Sequence, residues 1–190
     1  MLQRICLLVT VSLLCSCSAR HMGSISGVGL VRVNATSLTG RQNVQTKVSC
    51  GDTVSAASKS YAKVLFVDGN KIELGESTKL KVVCGKKPTE PQLHLFSGVI
   101  GFTALEPLMI AFDKYLLDVD LGGMGGLKFV NPEEVSIRMI QHNAKVTGPK
   151  NFDDLGMEKR DCTLNLKTGT TGCYTWVNAV PNVTPIPKKP

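Results

Sequence analysis

The sequence predicts an all-β protein built from stacked antiparallel hairpins, a β-sandwich or β-roll. Two observations carry that expectation. Apolar residues recur at every second position over most of the chain, as in Tyr61-Ala62-Lys63-Val64-Leu65-Phe66 and Lys79-Leu80-Lys81-Val82. A strand that buries one face needs that period, because successive side chains point to opposite sides of the sheet. Turn-forming residues also punctuate the runs, most clearly Asp68-Gly69 between Val67 and Lys71-Ile72-Glu73-Leu74. Aspartate and glycine tolerate positive φ, so this dipeptide between apolar runs is a strong hairpin signal.

The first segment, 1–16, is of another kind. Arg4 precedes the nearly unbroken apolar run from Ile5 to Leu14. Ten residues of helix span roughly 15 Å, short of a bilayer core of about 30 Å, so the run reads as a cleavable signal peptide. Leu14-Cys15-Ser16-Cys17 resembles the bacterial lipobox, with leucine three residues before a cysteine and a small residue directly before it. The resemblance implies that Cys17 is acylated and becomes the mature N-terminus. Several acyl chains, at about 0.8 kcal/mol per buried methylene, anchor a protein stably. Ser18, rather than an aspartate, then implies the outer membrane, facing the periplasm. Residues 17–27 read as a flexible tether, with His21 inert within it.

From Val28 the strands follow in order. Leu30-Val31-Arg32-Val33, Thr46-Lys47-Val48-Ser49, the Asp68-Gly69 hairpin, Lys79 to Val82 and Gln92-Leu93-His94-Leu95-Phe96 all alternate. Two later segments carry both patterns. Glu106-Pro107 with apolar residues at 105, 108, 112 and 116, and Asn131-Pro132-Glu133-Glu134, have helix-start chemistry, which suggests short helices near 106–118 and 132–142. Alternation through Tyr115-Leu117-Val119 and Val135-Ile137-Met139 argues for strands, the reading favoured here. The glycine-rich Leu121 to Gly126 lacks the strand-then-helix setting of a phosphate loop and reads as a turn or bulge. A region from 148 to 180 contains a hairpin, with arms around Cys162 and Cys173. The proline- and lysine-rich tail 181–190 reads as extended.

Four cysteines remain after Cys17: Cys50, Cys84, Cys162 and Cys173. An even set in an exported chain reads as disulfides, and four cysteines allow three connectivities. The sequence-nearest pairs, Cys50–Cys84 and Cys162–Cys173, are favoured because each staples one half of the chain. No C-x-x-C spacing or adjacent histidine supports zinc.

The formal charge of +7 suits anionic partners such as phospholipid head groups or acidic glycans. The lysines are scattered, however, and no basic helix with interleaved aromatics points to nucleic acid. His21, His94 and His142 stand isolated in sequence. Asp118 and Asp120 would share a strand face without a third ligand, and Asp153-Asp154 is a second acidic pair. No nucleophile–base pattern is present, so neither an enzyme nor a cofactor is expected. Tyr174 and Trp176, two residues apart, would share one face of a strand and could stack on a partner.

Residues 58–83, with Gly51-Asp52 before them, are similar to the FecR-type domain of bacterial envelope proteins. The matching features are Gly51-Asp52 ahead of a strand, the apolar strand Val64 to Val67, Asp68-Gly69, Ile72-Glu73-Leu74 and the Ser77-led strand to Val83. Leu95-Phe96-Ser97-Gly98-Val99 resembles the strand–glycine–strand step that follows. The resemblance covers about 28–105 and extends toward 147, giving an expected domain at 28–147. It implies an all-β extracytoplasmic interaction module. The best-known members sense an outer-membrane receptor and control a sigma factor through a transmembrane helix and a cytoplasmic arm. This sequence, with its lipobox-like signal and no second apolar span, departs from that plan. The expected function is that of a lipid-anchored protein-interaction or structural module with other envelope proteins as partners, the alternative being a glycan- or peptidoglycan-binding lipoprotein.

Overall fold

The computed structural model describes residues 20–38, 46–83, 92–150, 152 and 154–175. Within them the chain forms eighteen strands and no helix. They are β1 (His21–Val28), β2 (Val31–Val33), β3 (Thr36–Ser37), β4 (Thr46–Ser49), β5 (Thr53–Ala56) and β6 (Tyr61–Phe66). Then come β7 (Lys71–Leu74), β8 (Thr78–Val82), β9 (Leu93–Ser97), β10 (Val99–Thr103), β11 (Leu108–Phe112) and β12 (Tyr115–Val119). The last six are β13 (Met124–Asn131), β14 (Glu134–Gln141), β15 (Asn143–Thr147), β16 (Leu155–Glu158), β17 (Arg160–Asn165) and β18 (Thr171–Thr175).

The strands form two nine-stranded sheets. One runs β18-β17-β14-β13-β10-β7-β6-β1-β4, the other β16-β15-β12-β11-β9-β8-β5-β2-β3. The chain fills them by turns, leaving a hairpin or a single strand in one sheet before crossing to the other. Neighbours are antiparallel except β9 and β11, which run parallel because β10 intervenes in the opposite sheet. The alternating sequence explains the layering. In β6 the even-numbered Ala62, Val64 and Phe66 are buried while Tyr61, Lys63 and Leu65 face out. Ile25, Val64, Ile72, Leu80, Leu95, Ile100, Ile110, Phe112, Leu117, Ile137 and Leu164 join one apolar core. Burying such side chains contributes about 1.5–3 kcal/mol each, and this drives the stacking.

The residues that carry the FecR-type resemblance perform turn and crossover chemistry. The Asp52 carboxylate accepts the Ser49 N–H at 2.8 Å and the Asn34 side-chain amide at 2.7 Å, while Asn34 Oδ1 accepts the Thr53 N–H at 2.9 Å. The Asp68 carboxylate accepts the Asn70 N–H at 2.9 Å, and Gly69 takes a φ of 89°. Buried Asn70 then accepts the Glu106 N–H at 2.9 Å, tying this hairpin to the entry of β11. Gly98 lies where the chain leaves one sheet for the other. At its φ of 87° a Cβ would fall 2.4 Å from Thr78 Cα, so only glycine fits.

Two expectations need correction, and one choice between alternatives is decided for the favoured strands. Residues 21–27 are not a tether: β1 pairs with both β4 and β6, one strand in from the edge of its sheet. Its small residues are there for close packing, since a Cβ on Gly23 would stand 2.3 Å from the Leu65 carbonyl oxygen. The segments 106–118 and 132–142 are the strands β11, β12 and β14, with no helix in either. Pro107 lies in the connection directly before β11 and Pro132 in the β13–β14 turn, which Asn131 Oδ1 closes by accepting the Glu133 N–H at 2.9 Å. The boundary at 147 also divides nothing: β17 pairs with β14 in the same sheet.

Candidate interaction surface

The C-terminal hairpin forms one edge of the first sheet. Its turn is shaped by Asn165, whose Oδ1 accepts the N–H groups of Lys167 at 3.0 Å and Thr168 at 2.9 Å. Gly169 then adopts a φ of 75°, and β18 returns along β17. Cys162 and Cys173 stand opposite each other, joined by a disulfide across a Cα separation of 4.1 Å. Cys162 is fully buried, so the bridge ties the edge strand to the core. Cys50 is disulfide-bonded too. Cys84, its expected partner, lies outside the described residues, as do Cys17 and Trp176.

The spacing of the bridged pair sets what the open edge presents. Opposed residues with close Cα atoms form the non-hydrogen-bonded pairs of an antiparallel ladder. The main-chain groups of Cys173, and by alternation those of Thr171 and Thr175, therefore point away from β17. No strand pairs with them among the described residues. Tyr174 projects its ring to solvent, 78% exposed.

Tyr174 opens a row of outward-facing residues that crosses the sheet. It stands opposite Asp161, which is opposite Arg138, then Gly126, Gly101, Glu73 and Lys63. Arg138 donates to Asp161 Oδ2 through Nε at 3.0 Å and Nη2 at 2.6 Å, a two-pronged ion pair beside the tyrosine. Lys71 pairs with Glu73 on the far side. Between these charged walls the two glycines leave bare main chain as a floor. At Gly101 nothing lies closer than 3.9 Å to where a Cβ would sit, so packing does not demand glycine there. Beyond the floor Tyr61, Leu65 and Val28 are exposed apolar side chains. The face thus combines an open edge, two aromatic rings at its two ends and a shallow trough between.

The remaining polar candidates fall elsewhere. His94 stacks on Phe96 with ring centroids 4.4 Å apart on the other sheet, His21 begins β1, and His142 sits in the β14–β15 turn with a φ of 58°. Asp118 and Asp120 are close enough to interact, and Lys145 stands opposite Asp118. Burial raises the Asp118 pKa above the usual carboxylate range, with Asp120 adding and Lys145 opposing. Lys145 is ion-paired with Asp154 at 2.5 Å, while Asp153 lies outside the described residues. Among the described residues no three His, Cys, Asp or Glu side chains gather as a metal site. Sequence reasoning singled out Tyr174 but missed the trough, because Gly101 and Gly126 meet only through the β10–β13 register.

No family model matches the chain, and no curated protein matches it. Two crystal structures of a "putative anti-sigma factor" from Parabacteroides distasonis ATCC 8503, at 1.65 and 2.50 Å, share the fold. Their TM-scores are 0.54 and 0.52, with 14% and 15% identity. Each match covers 65% of this chain and 59% of the neighbour, so the chain spans less than two thirds of their length.

Proposed function

We propose that the chain is a lipid-anchored, non-catalytic interaction module of the bacterial cell envelope, held at the outer membrane through Cys17, that binds an extended segment of another envelope protein along β18. The observation that carries this reading is the open edge of β18 beside the exposed Tyr174. A sheet edge with unpaired N–H and C=O groups is a template for an added strand, and a neighbouring aromatic supplies apolar contact. The lipobox-like stretch and the FecR-type resemblance support the extracytoplasmic address. The role named for the fold neighbours is not carried over at this level of identity.

A photo-crosslinking residue in place of Tyr174, in the full-length lipoprotein, tests the reading. The expected result is one protein adduct in stoichiometric yield, whose crosslinked peptide lies in an extended segment. Thr175→Pro removes an outward-pointing N–H and should abolish the adduct without unfolding the hairpin. An adduct indifferent to Thr175→Pro would refute edge pairing. Retention on cell-wall sacculi with no protein adduct would favour the glycan- or peptidoglycan-binding alternative.

A further inference from the structure

A second feature lies at one end of the sandwich, where three connections meet: the β11–β12 turn, the β15–β16 loop and the β17–β18 turn. They enclose a cleft of about 600 Å³ lined by Lys114, Lys150 and Lys167 together with Tyr115, Phe152 and Thr170. The lysines are far apart in sequence, and the fold brings them to one opening. No acidic side chain lines it among the described residues; Asp113 lines the neighbouring groove instead.

The floor is aromatic. Tyr115 and Phe152 meet edge to face with centroids 5.1 Å apart, and Lys114 Nζ lies 5.7 Å from the Tyr115 ring centre. Gly148 makes this pairing possible, because a Cβ there would stand 2.6 Å from Phe152 Cγ and 2.7 Å from Tyr115 Cε1. Gly169, at a φ of 75°, lies over the floor, where a Cβ would make ordinary contact with the Tyr115 hydroxyl at 3.5 Å.

That hydroxyl is the telling group. The Tyr115 ring is buried, the residue being 3% exposed overall, while its hydroxyl reaches the solvent of the cleft and makes no hydrogen bond to any described residue. A phenol whose ring is fixed in the core and whose hydroxyl opens to a cleft can exchange water for a ligand without breaking a protein hydrogen bond. Burial, helped by the Asp113 charge, raises its pKa above the usual phenol range, so it stays a neutral donor and acceptor at physiological pH. The Thr168 and Thr170 hydroxyls, 2.8 Å apart, add further polar groups at the rim.

We propose that this cleft binds an anionic saccharide, a sugar unit carrying carboxylate or phosphate groups. The lysine ammoniums meet the charge, the Tyr115 and threonine hydroxyls meet the sugar hydroxyls, and the Tyr115–Phe152 floor packs under the ring. A membrane surface fits the cleft less well. Lipid docking needs protruding apolar side chains beside the lysines, whereas the rim here is threonine, glycine and proline.

The test uses the mature protein with tetragalacturonate and mannose 6-phosphate as probes. Controls are the methyl-esterified tetrasaccharide, inorganic phosphate and phosphatidylglycerol vesicles. At least one anionic sugar should bind, with amide shifts at Lys114–Tyr115 and Lys167–Thr171, and the ester should bind about tenfold more weakly or worse. Lys114→Ala/Lys150→Ala/Lys167→Ala should lose about tenfold or more in affinity. Tyr115→Phe should lose about threefold to tenfold with its melting temperature unchanged, since the hydroxyl holds no protein partner. Equal binding of ester and acid, full affinity in the triple variant, or shifts confined to other residues would overturn the proposal. So would binding of phosphate or vesicles but neither sugar, or of no probe at all.

Discussion

Removing the C-terminal bridge by Cys162→Ala/Cys173→Ala should free β18 while leaving the rest of its sheet intact. Among the described residues the strand lies at an edge and pairs only with β17. Thr171, Gly172, Cys173 and Tyr174 are all exposed, so side-chain burial contributes almost nothing to holding it. What remains is the ladder to β17 and the disulfide, which closes a sequence separation of 11 residues. The chain-entropy relation gives about 2.8 kcal/mol for a loop of that size. Since 1.4 kcal/mol is a factor of ten, the opening equilibrium of β18 should shift by about 100-fold. Loss of the buried Cys162 sulfur adds about 1 kcal/mol, but that cost falls on the sheet as a whole. Hydrogen exchange separates the two effects. Amides of β18 bonded to β17, at Gly172 and Tyr174, should lose about 100-fold in protection, whereas amides of β13 and β14 should lose no more than the shared component. Protection of β18 within threefold of the wild type would refute the reasoning. Earlier loosening of β6 and β7 would also refute it, because those strands are far from the bridge.

Two further outcomes follow from local geometry and a third from the lipobox-like stretch. Gly125→Ala places a Cβ 2.2 Å from the Arg138 carbonyl oxygen and should break the β13–β14 pairing, whereas at Gly101 a Cβ meets nothing closer than 3.9 Å, on a face where Gly101→Thr extends outward. Thermal unfolding should show the first strongly destabilised and the second stabilised by about 0.5–1 kcal/mol, and the same Gly101→Thr change should weaken partner capture if the trough is used. Asp118 has a raised folded-state pKa, so the native state holds its proton more tightly and stability falls as pH rises through that value. Asp118→Asn should therefore melt higher than the wild type at pH 7 and show no such gain at pH 3; the reverse order would refute the assignment. Cys17→Ser should leave an unprocessed precursor that incorporates no fatty-acid probe, and membrane fractionation should place the wild type in the outer membrane.

The strands β2, β4 and β6 to β9 were legible because each buries one face only, which forces period two on the sequence. β1 was not. His21-Met22-Gly23-Ser24-Ile25-Ser26-Gly27 has the composition of a linker, yet its glycines are demanded by the main chain of β6 pressed against them. At Gly27 a Cβ would stand 2.7 Å from both the Tyr61 carbonyl oxygen and Val31 Cγ2. Tight packing and flexibility select the same small residues, and composition alone does not separate them. The helix-start signals at 106 and 131 competed with the favoured strand reading for a related reason. Asparagine followed by proline and acidic residues suits a helix cap, but the same side-chain hydrogen bond closes a hairpin turn when alternating apolar residues follow. Tyr174 was legible as an exposed aromatic in a short alternating run. The lysine cleft was not, since Lys114, Lys150 and Lys167 belong to three connections that only the topology brings together.

These observations separate scaffold from surface. Gly51-Asp52, Asp68-Gly69 and Gly98, the residues on which the family resemblance rests, are occupied in capping main-chain groups and turning the chain between sheets. They specify a framework and leave binding chemistry to other positions. Such chemistry should be sought where the fold holds groups that its own packing does not use. The outward N–H and C=O groups of β18 are one case and the bare Gly101 floor is a second. The unpartnered Tyr115 hydroxyl beneath three lysines is a third. The first two share one sheet, whereas the cleft lies among the connections at an end of the sandwich, so a strand added along β18 and a ligand in the cleft meet chiefly at Thr171, which begins β18 and also lines the cleft. A module of this design can hold a protein along its edge and a charged sugar at its end, with the hairpin stapled by Cys162–Cys173 as the element common to both.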